Sequence, residues 1–215
     1  MIRPSRGLFL ASAVAAACLA LNAHSYAQTN PPIEKFLGSA LDHTGPKPIK
    51  GPKIQIELEK WSTDADAERL QKAVGGGPDK LLAAVKGGPA GSATGLIISP
   101  GIQGSGARAR LPRKQPLLFA RDIKTPSGRQ IVLATDEHIQ FVGTVQERIH
   151  PENDEFTLID IRFGKDGKGI AKMGLANDVA YNKATNTIEL ANFDKATPAI
   201  TDITAEKIEK AGEKK

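Results

Sequence analysis

Cysteine is almost missing from this chain: there is one in 215 residues, Cys18. A disulfide framework and a zinc–thiolate site both need several, so neither organises the fold. Aromatic residues are scarce, at 5% with a single tryptophan, so any core must be built from aliphatic side chains. Histidine is also thin. His24, His43, His138 and His150 form no H-x-H or H-x-x-x-H pair, and a metal needs three or four convergent ligands. No continuously apolar run follows Leu21, which excludes a later membrane-spanning helix of about 20 residues.

The first residues, "MIRPSRGLFLASAVAAACLALNAHSYAQ", read as an export signal. Arg3 and Arg6 form a cationic start, Gly7 to Leu21 an apolar stretch, and Ser25-Tyr26-Ala27 a small-x-small cleavage pattern. The expectation is a signal peptide over 1–27 and a periplasmic or secreted chain after cleavage near Ala27. A rival processing site at Cys18 would carry a lipid. It lacks the usual leucine at the third position before the cysteine, and the apolar run continues past it. Cleavage after Ala27 removes the only cysteine, and with it any thiol nucleophile. It also removes Arg3 and Arg6, lowering the formal charge of +5 by two, to +3. That mild excess is short of a nucleic-acid-binding signature.

Residues 28–52 hold Pro31, Pro32, Pro46, Pro48 and Pro52. Proline fixes φ and removes a donor, so this segment is expected to be a flexible, extended tether outside any sheet. A short helix over Ile33 to Leu41 is the one element it suggests. Regular structure then begins at "KIQIELEKW", where Ile54, Ile56 and Leu58 alternate with polar residues. "STDADAERLQKAV" changes to a helical period behind capping residues, ending at Gly75-Gly76-Gly77. Pro78 opens a second helix, "PDKLLAAVK", which stops at Gly87-Gly88. From Gly95 onward the pattern is almost all strand. "TGLIIS" comes first, then the hairpin "PLLFARDI"/"RQIVLAT" and the strand "HIQFVGTV". The hairpins "EFTLIDIRF"/"IAKMGLA" and "DVAYN"/"TIELANF" follow, and "AITDIT" is last.

The fold class expected is α+β: a mainly antiparallel β-sandwich or open barrel, with a helical hairpin inserted after the first strand. It occupies one domain over 53–207, with a charged tail over 208–215.

The segments "IELEKWSTDADAERLQKAV", "GPDKLLAAVKG", "GRQIVLATDEHIQF", "FTLIDIRFGKDGKG" and "YNKATNTIEL" resemble, as a set, a family of exported bacterial proteins of uncharacterised activity. The resemblance covers about Lys53 to Lys207. It implies export, and no activity, cofactor or site residue carries over with it.

Candidate sites are few. "SPGIQGSGARARLPRK" has glycines spaced G-x-x-G-x-G, the reverse of a dinucleotide fingerprint, and no glycine-lysine-serine/threonine of a phosphate loop. It reads as a glycine-rich loop entering a strand. Its cations Arg108, Arg110, Arg113 and Lys114 are the candidate contacts for an anionic ligand. "HPENDE" (His150 to Glu155) offers carboxylates but lacks the spacing of a calcium loop. Ser105, in Gly-Ser-Gly, lacks the surroundings of a nucleophile elbow. Asp160, inside "TLIDIRF", reads as a wet-face aspartate beside Arg162. Trp61 is expected to cover the core edge beneath the helical hairpin, with its N–H on a backbone carbonyl.

The function these features point to is a non-enzymatic module of the cell envelope. It would need no cofactor or metal and would bind a protein partner or an amphiphile. The alternative is a periplasmic or extracellular hydrolase that gathers two or more of Asp136, His138, His150 and Asp160 into one cleft.

Overall fold

The computed structural model describes residues 30–43, 46–88, 93–99, 113–126, 128–139 and 156–208. The leader, Arg108, Arg110, the "HIQFVGTV" strand beyond Ile139, His150 and most of the charged tail lie outside these residues.

Among the described residues, eleven strands and two α-helices follow in order: β1 (Glu34–Asp42), β2 (Ile49–Leu58), α1 (Asp64–Ala73), α2 (Pro78–Lys86), β3 (Gly95–Ser99), β4 (Arg113–Leu117), β5 (Phe119–Thr125), β6 (Gly128–Thr135), β7 (Thr157–Phe163), β8 (Gly169–Gly174), β9 (Val179–Asn182), β10 (Thr187–Leu190) and β11 (Pro198–Lys207). Nine strands form one antiparallel sheet in the order β4-β3-β2-β1-β11-β8-β7-β6-β5, and β9–β10 make a separate two-stranded arm.

The sheet curls into a nearly closed barrel because its two edge strands are halves of one run. Only Leu118 separates β4 from β5, and its N–H donates to Ala134 O of β6 at 2.9 Å. The first half pairs with β3 and the second with β6. Ser62 caps the free edge of β5, its N–H donating to Ala120 O (2.8 Å) and its Oγ accepting from Ala120 N (3.0 Å).

Alternation along each strand sorts two cores. Phe36, Ala40, Ile54, Ile56, Leu58, Ile97, Leu117, Ile131, Leu133, Ile159, Ile161, Ile200 and Ile203 belong to one buried cluster inside the barrel. The intervening Val132, Ala134 and Leu158 face outward into a second cluster with Leu70, Leu81 and Val85 of the helices and Ile188 and Leu190 of the arm. Each helix is too short to hold alone and is stabilised by this second layer. α1 begins with a capping box: Thr63 Oγ1 accepts from Asp66 N (3.2 Å) and Asp66 Oδ2 from Thr63 N (2.9 Å). Gly77, at φ 95°, makes the turn into Pro78 at the start of α2.

Three expectations need correction. The segment expected as a tether contains strands: β1 and the start of β2 fall inside it, and β1 lies mid-sheet between β2 and β11. The helix suggested over Ile33 to Leu41 is this same strand. A register irregularity around Gly38 breaks its alternation, and Ile33, Phe36, Leu37 and Leu41 then mimic helical spacing. The helical hairpin therefore follows the second strand, not the first.

Candidate functional site

The barrel has two ends of different character. At one end the chain leaves β1 at Asp42 and returns at Ile49, leaves β3 at Ser99 and returns at Arg113, and leaves β6 at Thr135 to return on β7 at Thr157. Arg113 and Lys114 open β4 here, and both are exposed. Arg69, Arg121, Arg129 and Arg162 each engage a carboxylate, whereas among the described residues neither Arg113 nor Lys114 forms an ion pair.

Residues 136–139 fold across this end. Thr157 Oγ1 donates to Glu137 O (2.8 Å) and accepts from Ile139 N (3.3 Å), while Gln115 Nε2 donates to Glu137 Oε2 (2.9 Å) and His138 O (3.0 Å). Asp136 lies 3.8 Å from Lys86 Nζ, at the end of α2.

Asp160 sits elsewhere. It lies three residues along β7 from Thr157 and faces the opposite side of the sheet, with no exposed surface. The wet-face expectation is thus overturned. The outward face is covered here by the arm, whose Leu190 N–H donates to Asp160 Oδ2 at 3.4 Å. Gln130 Nε2 donates to both carboxylate oxygens at 3.1 Å, and Arg162 Nη2 donates to Oδ2 at 3.1 Å, so the expected Arg162 partnership is present. Glu189 Oε2 stands 3.8 Å from the same Arg162 nitrogen. Phe193 of the arm stacks on the Arg162 guanidinium (3.8 Å) and meets Lys172 Nζ (4.6 Å), and that ammonium also donates to Phe193 O. Burial pushes the Asp160 carboxyl above its ordinary value, outweighing the donors from Arg162, Gln130 and Leu190. Asp160 therefore shares no cleft with Asp136 and His138. Its partners are Gln130 of β6, Arg162 of its own strand and Leu190 of the arm, and of these the sequence reading singled out only Arg162.

The opposite barrel end holds a second cluster missed from sequence. Arg129 opens β6 in phase with the inward Ile131 and Leu133. Its Nη2 donates to Glu34 Oε2 of β1 at 2.8 Å, and its Nη1 pairs with Glu34 Oε1. Its Nε and Nη2 also reach Asp122 of β5, at 2.9 and 2.8 Å. The rings of Phe36, Trp61 and Phe163 surround the guanidinium at 5.7, 5.9 and 5.9 Å. The hydrogen bond to Glu34 leads the forces that hold its proton even more firmly than in an ordinary arginine. Trp61 thus packs on the barrel interior at this pole instead of under the helices. Strand phase was the legible signal: an arginine two residues before Ile131 points inward.

Among the described residues, no group of three or more His, Cys, Asp or Glu is placed to hold a metal ion, and no helix is long and apolar enough to cross a membrane. Protein-family models, curated proteins and solved structures return no match to this chain.

Proposed function

We propose that this chain is an exported, non-enzymatic binding module of the cell envelope, and that Arg113 and Lys114 engage an anionic group of its ligand. The observation that carries the reading is the state of these two cations. They are exposed at the barrel end where β1, β3 and β6 finish, while four of the protein's other arginines are spent on carboxylates. Arg and Lys at such a rim suit lipid phosphates or acidic glycans. Ligand sites also favour barrel mouths.

The filled interior supports an external contact over a lipid held inside. Inward positions on most strands carry Ile, Leu, Phe or Ala in one contiguous cluster, which fits a barrel of this strand number packed by its own side chains. The leader-like start of the sequence, with Arg3, Arg6 and the apolar stretch Gly7 to Leu21, supports the exported compartment.

The first test is native mass spectrometry of the chain recovered from the exported fraction of its host, beside an Arg113→Glu/Lys114→Glu variant. An adduct of lipid or glycan mass, lost in the variant, is expected. An adduct that survives the charge reversal would move the site away from this rim. A bare mass, with no retention on anionic vesicles or acidic glycan resin, would defeat the reading.

A further inference from the structure

The Arg129 cluster has the chemistry of a recognition site. Two carboxylates from strands far apart in the sheet, Glu34 on β1 and Asp122 on β5, converge on one guanidinium, each through two of its N–H groups. Paired N–H···O contacts of this kind select a planar, forked cation over a point charge. Three aromatic rings within 6 Å of the guanidinium carbon complete the arrangement by which proteins recognise organic cations.

The charges in direct contact are one cation against two anions, so the cluster itself is net negative with Arg129 in place. Glu34 is only 3% exposed, and a carboxylate buried to that degree demands a cation. The Arg129 side chain keeps 24% of its surface in solvent, so the site can be reached from outside.

We propose that this pole of the barrel is a cation-binding cage with Arg129 as its built-in occupant, and that its ligand class is the guanidinium or substituted guanidinium ion. Arg129 acts as an intramolecular ligand and keeps the cage closed to competitors. A purely structural arginine would pin β1, β5 and β6 through its covalent attachment to β6. A cage recognises the guanidinium itself, attached or free, and that difference can be measured.

Trp61 is the only tryptophan in the chain, so its emission reports on the cage directly. In the full chain carrying Arg129→Gly, methylguanidinium at millimolar concentration should give a saturable change in Trp61 emission and raise the melting temperature by several degrees. Methylurea, planar and neutral, and sodium chloride should do neither. The wild-type chain, with its occupant present, should not respond at these concentrations. If Arg129→Gly does not fold alone, refolding with methylguanidinium but not with methylurea supports the cage equally. Failure with both overturns it. A folded variant indifferent to methylguanidinium, or helped equally by methylurea or salt, also overturns the proposal. Adding Glu34→Gln and Asp122→Asn to Arg129→Gly removes both carboxylate charges, the buried one of Glu34 among them, so this triple variant should fold without added cation and lose the response. If it keeps the response, the carboxylates are not the recognising groups.

Discussion

Gly38 shows how little room a central strand leaves. A Cβ there would lie 2.5 Å from Cγ2 of Ile200 and 2.8 Å from Cγ1 of Ile203, inside the barrel core. Gly38→Ala should cost about 1–3 kcal/mol, the usual range for forcing an extra carbon into a packed interior. Urea unfolding would measure it. Asp160 gives a pH-dependent expectation with a definite sign. Its carboxyl is raised in the folded state by burial, so the native protein holds this proton better than the unfolded chain, where the value is about 3.9. The associated stability is full below the unfolded value and is lost as pH rises through the folded one. The melting temperature of wild type minus that of Asp160→Asn should therefore fall with rising pH across the acid range. A difference that stays flat, or grows, would contradict this. Asp160→Ala should cost about 2–4 kcal/mol, because Gln130 and Leu190 N–H lose a buried acceptor. Residue by residue, the sequence showed Asp160 as unusual but not why. Strand phase told only that it faces outward, and its cover comes from Leu190, thirty residues further on.

The elements were legible in proportion to how local their causes are. α1 and α2 follow from neighbouring residues, namely the Thr63/Asp66 box, Gly77 and Pro78. The hairpins β5–β6, β7–β8 and β9–β10 follow from alternation around turn residues. β1 escaped because its register slips around Gly38 and because flanking prolines suggested a loose segment. Thr63→Ala should lower stability by about 1 kcal/mol, visible as a shift in the urea midpoint with an unchanged slope. The arm depends on a different kind of contact. Phe193 binds it to the sheet through the Arg162 and Lys172 cations, beside the apolar Ile188 and Leu190. Phe193→Ala should speed amide exchange across Val179–Asn182 and Thr187–Leu190 well before it affects β6 and β7. Uniform loss of protection over both regions would show that the arm is not a separate unit of stability.

At the scale of the whole molecule, antiparallel β structure with a helical pair could be read from periodicity alone. Closure could not. It depends on one run of chain dividing at Leu118 between two partners, and no local pattern marks that residue. The residues proposed to meet an anionic ligand were legible only as charge. What sets Arg113 apart is that the other four described arginines each engage a carboxylate, which is a property of the assembled barrel. β1 and β11 lie side by side in the sheet, and Ile208 N–H donates to Ile33 O at 2.9 Å. The two ends of the folded domain are thus neighbours, and the order in which the chain visits its strands is separable from the architecture it reaches. A circular permutant that joins residue 208 to residue 33 through a short linker, and opens the chain in the exposed turn between Asp166 and Gly167, should keep the same fold.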